Sequence, residues 1–154
     1  MTIAVQIFLA WLWSHFYEYI AHRYVLHGKN NFKEAFKHHF STHHSSSRKN
    51  DMYDSDYDSL TSLNFEIIAL FFSLLAHIPI AIFFPYAYIT LSVCTVTYYL
   101  IHRKSHIDTE WGKKWLPWHY DHHMGKNQHV NWGVRLPIFD YLFSSRVKYF
   151  KFRS

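Results

Sequence analysis

The chain is 154 residues long, 49% hydrophobic and 21% aromatic, with four glycines and four prolines, so it is one ordered domain and not a disordered or low-complexity segment. Its single cysteine, Cys94, excludes an intramolecular disulfide and a cysteine-based zinc site. The net charge of +5 does not indicate a nucleic-acid partner, because the basic residues border apolar stretches and form no recognition motif.

Read from the start, residues 3–21 carry no Lys or Arg and are rich in Ile, Leu, Phe and Trp, with His15 and Glu18 as the polar exceptions. With no basic leader and no small-residue cleavage site, this is expected to be a retained membrane span. A basic block from Arg23 to Lys49 follows; the His-rich stretch that includes it, 22–64, contains His22 and His27, then His39, His43 and His44. Five residues apart, His22 and His27 do not share a face of an ideal helix; a helix ending before His27, with Gly28 as its cap, is an alternative. His38 adjoins His39, and the spacing does not decide between them, although His39 stands four before His43. Residues 45–51 read as a loop, and the Asp-rich piece 53–59 as a solvated one.

Residues 65–101 form a second apolar stretch with Glu66 as its only formal charge, and Pro79 and Pro85 supply a turn within it. Spans are therefore expected at about 65–83 and 86–101. The fold class that results is an all-α membrane protein of about three transmembrane helices, one span plus a hairpin, with a helical His-rich cap. One domain covers 1–154, and its blocks 22–64 and 102–154 fall on one side of the membrane. Those blocks hold every Lys and Arg, so that side is expected to be cytoplasmic, at a bacterial inner membrane or an ER-like membrane. The mean hydropathy of −0.18 keeps a water-soluble helical protein as the competing reading.

The second basic block holds His102 and His106, then His119, His122 and His123. Offsets of three and four put such residues on one helix face, so His39 with His43, His102 with His106, and the last three are each expected to act together. Ten candidate ligands exceed the four of a structural zinc and suit two ions. Imidazole suits iron, zinc, copper and nickel alike, so the ligand type does not name the metal. His15 and His77, inside the apolar stretches, are expected to be satisfied polar groups; His129 is kept outside the ligand set. Trp111, Trp115 and Trp118 around Lys113 and Lys114 suggest a segment at headgroup level.

Four motifs, His22-x4-His27, His39-x3-His43-His44, His102-x3-His106 and His119-x2-His122-His123, resemble the fatty acid hydroxylase / sterol desaturase superfamily. So does Asn131-Trp-Gly133-Val-Arg-Leu-Pro137-Ile-Phe-Asp140-Tyr-Leu-Phe143, and the likeness runs from about residue 18 to 145. The resemblance implies two iron ions, molecular oxygen, and hydroxylation or desaturation of a lipid. Electrons would come from a separate cytochrome b5-like or ferredoxin-like donor. The His22-to-Gly28 piece is also similar to carotenoid hydroxylases, and a non-enzymatic His-rich metal-binding or transport protein is the reading from another class. Asp121 would orient an imidazole or stand exposed, and His129 would back the ligands, face the substrate or be exposed. Asn131 and Asp140 would shape the site, on its substrate side or behind the ligands, or cap helices.

Overall fold

The computed structural model describes residues 1–60 and 64–150; residues 61–63 and 151–154, at the ends of the two His-rich blocks, lie outside the described residues. All regular structure among the described residues is helical. The order is α1 (Ile3–Ile20), a π-helical turn at Ala21–Leu26, α2 (Lys33–Phe36), a second π-helical segment at Lys37–His44, and α3 (Ser45–Lys49). After a short 3₁₀ turn at Ser55–Tyr57 come α4 (Phe65–Ala76), α5 (Ile78–Phe83), α6 (Pro85–Ile107), α7 (Thr109–Trp115), α8 (Pro117–Met124) and α9 (Ile138–Leu142).

Local chemistry sets most of these boundaries. Thr2 and Asn64 cap α1 and α4, accepting from the backbone N–H of Val5 (3.4 Å) and Ile67 (3.0 Å). Pro79, Pro85 and Pro117 sit in the first turns of α5, α6 and α8, where a missing N–H costs no helical bond. Helices α1 and α6 run towards the histidine-rich end, and α4 runs away from it. At the opposite end Ala10, Ala87 and Leu91 pack closely with Ile80 from α5, small side chains letting the backbones approach.

The expected spans are only partly matched. The stretch 65–83 breaks at His77 into helices of 12 and 6 residues, because Pro79 cannot bond back into the preceding turn. The first helix, α1, buries Gln6, Ser14, His15 and Glu18, while α6 continues for 23 residues into polar sequence ending past His106. Among the described residues no helix is long and apolar enough to cross a membrane. The outer faces are nonetheless apolar: Phe8, Phe71, Phe72, Ile82, Phe83 and Val93 are all exposed.

Two surface expectations change. Trp115 is exposed, but the Trp118 indole turns inward and donates to the Val134 carbonyl (2.8 Å). The Asp-rich piece is solvated only in part: Ser55, Asp56, Asp58 and Ser59 are exposed, whereas Asp54 and Tyr57 are buried beside histidines.

Candidate metal centre

The ten histidines singled out by spacing converge at one end of the helices, and all are buried. They do not combine cluster by cluster. Ring nitrogens of His22, His27, His39, His44 and His122 lie within 4.8 Å of one another; those of His43, His102, His106 and His123 form a second such group. His119 joins the second group, its Nε2 standing 3.2 Å from His106 Nε2.

Backbone geometry explains the regrouping. The α-helical pair His102 and His106 stays together, with Nε2 atoms 3.2 Å apart, as an offset of four predicts. Residues 21–26 and 37–44 are instead π-helical, a wider turn that aligns residues five apart. His22 therefore joins His27, and His39 joins His44, which corrects the expected pairing of His39 with His43. On α8, His119 and His123 face one group and His122 the other, so the expected trio divides. His39 Nε2 is 2.9 Å from His22 Nε2, whereas exposed His38 stacks on Phe65 with ring centroids 4.7 Å apart.

A layer of acceptors orients the rings. His22, His106 and His122 each donate Nδ1–H over 2.7 Å, to the carbonyls of Trp132, Met52 and Val130. His43 donates to Asp54 (2.7 Å) and His102 to Glu66 (2.6 Å). Each bond fixes the tautomer with its bare Nε2 directed inward. Gln128 bridges His44 Nδ1 and the His123 carbonyl, at 2.8 Å each.

The donor set fits metal ions. With both Nδ1 protons engaged, His102 and His106 point Nε2 lone pairs at each other across 3.2 Å, a contact that a shared cation relieves. Two nitrogens about 2.1 Å from one ion and at a right angle stand about 3.0 Å apart, and the Nε2 contacts in both groups run from 2.9 to 3.2 Å. His27, His123 and His43 Nε2 are buried with no hydrogen-bond partner. Burial lowers the His22 pKa to about 3 and holds His39, His44, His106, His119, His122 and His123 well below their ordinary range. Neutral imidazole, the form that ligates, is thus the resident species.

A family model described as fatty acid hydroxylase matches residues 7–145. The chain belongs to the fatty acid hydroxylase family. That places it in the fatty acid hydroxylase / sterol desaturase superfamily and implies an oxidoreductase. Neither a curated protein nor a solved structure matches it.

Other residues singled out in the sequence hold this member of the family together. Asp121 orients no imidazole: it pairs with Arg146 (2.7 Å) and accepts from the backbone N–H of Tyr149 and Phe150, fastening the tail to α8. Asn131, at φ 61, bonds Val147 from both ends of its amide. Asp140 accepts from the N–H of Trp132 (2.8 Å) and Gly133 (2.7 Å), shaping the loop that offers the Trp132 carbonyl to His22. Only glycine fits at 133, because a Cβ there would collide with the Leu136 carbonyl. His129 is exposed but stacks on Phe40 (5.2 Å) and meets the edge of His27. Of the two histidines expected to be satisfied polar groups, His77 is one, donating to the Ser73 carbonyl (2.7 Å) and accepting from Trp13 (3.1 Å), whereas the buried Nδ1 of His15 has no partner.

Five contributors escaped the sequence reading: Glu18, Asp54, Tyr57, Glu66 and Arg135. Glu18 and Arg135 form a buried ion pair (2.7 Å), and Glu18 also accepts from the N–H of Val134 and Arg135. A lone acid inside an apolar stretch was the available signal for Glu18 and Glu66.

A cavity of about 480 Å³ opens beside the centre. His22, His39 and His43 lie at one end; Leu70, Leu74, Leu91 and Cys94 line the body, and Trp13 and His77 the far end.

Proposed function

We propose that this fatty acid hydroxylase family member is a membrane-embedded di-iron oxygenase that hydroxylates or desaturates a lipid C–H bond with O2. Its electrons come from a separate carrier. The observation that carries this reading is the division of ten buried histidines into two groups, with a largely apolar cavity ending on members of both.

In this reading His22, His27, His39, His44 and His122 hold one ion, and His43, His102, His106, His119 and His123 the other. Bound there, the ions supply the activation of oxygen that an unreactive C–H bond requires. The chain's own side chains do the rest. Asp54, Glu66 and the carbonyls of Met52, Val130 and Trp132 hold five imidazoles rigidly. The apolar wall orients the hydrocarbon and excludes water. Glu18 and Arg135, which also line the cavity, balance each other's charge.

The exposed Phe, Ile and Val side chains of α1, α4, α5 and α6 support a bilayer around the part of the helices away from the histidines. Under the same proposal the His-rich end faces the cytoplasm, because the basic residues gather there.

The test is lipid mass spectrometry of membranes from cells expressing the wild type or a His102→Ala, His106→Ala variant. A lipid class that gains an oxygen atom, or loses two hydrogens, only with the wild type is the expected result. The same change with the variant would refute the oxygenase reading.

A further inference from the structure

Resting on the reading of the cavity as a substrate site, we propose that Trp13 and His77, with Leu91, form its floor. That floor sets the longest apolar chain the site accepts. The indole N–H of Trp13 on α1 donates to His77 Nε2 (3.1 Å), and His77 is itself held by its Nδ1 bond to the Ser73 carbonyl (2.7 Å). Tyr17 meets the His77 ring edge-on at 5.2 Å, bracing the same crossing between α1 and the end of α4. Trp13, His77 and Leu91 all line the cavity, but Ala10, Ala87 and Ile80, packed around Leu91 beyond them, do not. The space therefore stops at the Trp13–His77 crossing.

Position along the helices gives the depth. His22 follows Trp13 by nine residues and His102 follows Leu91 by eleven, a rise of roughly 13–16 Å. That span accommodates on the order of ten methylenes in extended conformation. An indole tied to an imidazole is a rigid stop, unlike a free aliphatic side chain that can swing aside. Near it Leu70, Leu74 and Ala76 line the wall with Ser14, whose hydroxyl is bonded to the Trp11 carbonyl, while the carboxylates of Asp54 and Glu66 lie at the histidine end on His43 and His102. Length is thus the property this end can read.

The test uses metal-loaded protein in phosphatidylcholine nanodiscs, without reductant, and a mixture of straight-chain saturated alcohols of graded length. Alcohols retained by the protein are weighed by native mass spectrometry. Referred to the concentration of free aqueous alcohol, retention by the wild type should rise about fourfold per added methylene and then stop at a maximum length. Trp13→Ala and His77→Ala should move that maximum to longer chains, and Leu74→Trp, one turn above the floor, to shorter ones. An unchanged maximum in every variant overturns the floor and leaves the cavity reading standing. A wild type that retains no alcohol overturns both. Should the alanine variants not fold, Leu74→Trp decides alone, since an unmoved maximum there contradicts a length-limited pocket.

Discussion

A buried imidazole with its Nδ1 proton committed to a carbonyl can neither take up a second proton cheaply nor leave its Nε2 without a partner. This is the state of His22, His106 and His122, and it has a pH consequence. The unfolded chain protonates these residues as pH falls through the ordinary 6.5, whereas burial delays it in the folded chain, to about 3 for His22. The unfolded state therefore binds more protons across that window. Metal-free protein should lose about 1.4 kcal/mol of stability per pH unit for each such histidine as pH falls below 6.5. Thermal melting of the metal-free chain from about pH 7 to about pH 5 should show a steep drop; a flat profile would contradict the buried neutral state. Metal content separates neighbours equally sharply. His39→Ala and His119→Ala should lower bound metal per chain, while His38→Ala should leave it unchanged, as measured by elemental analysis. The ten residues were legible from spacing because imidazoles at short offsets are rarely accidental. Asp54 and Tyr57 were not, because a run of Asp, Ser and Tyr reads as solvated until the turn around Asp51 and Met52, at φ 51 and 75, is seen to carry it inward.

Among the elements, the π-helical segments decide which histidines meet. An offset of five between His22 and His27, or His39 and His44, is wrong for an α-helix and right for a wider turn. Deleting Ser41 removes one residue from the second segment and favours α-helical winding. Helical content by circular dichroism should stay near the wild type while metal content falls at both groups; retained metal would show that the wide turn is dispensable. The sequence contained this information only as an awkward spacing, since no propensity favours a π-helix. The 65–83 stretch likewise showed its apolar character and the Pro79 that breaks it at His77, but not the packing of α5 against α6.

For the molecule as a whole, chain-distant contacts lock the histidine-rich end together, and these the sequence could not disclose. Glu18 reaches Arg135, and Asp121 reaches Arg146 with the tail behind it. Removing one partner of a buried pair typically costs about 3–5 kcal/mol. Asp121→Ala should therefore lower the melting temperature while metal per chain, assayed on folded protein, is retained. Loss of metal without loss of stability would instead return Asp121 to an imidazole-orienting role. The helical class and the concentration of histidines at one end were legible, because they follow from apolar runs and clustered ligands. The interleaving of four clusters into two groups was not, since it needs α8 and both π-helical segments in contact. That interleaving is the central claim, and counting ions tests it most directly. Iron measured per chain in protein purified from membranes should be two, lost together with oxidative activity on chelation. A single ion per chain in a fully active preparation would contradict it.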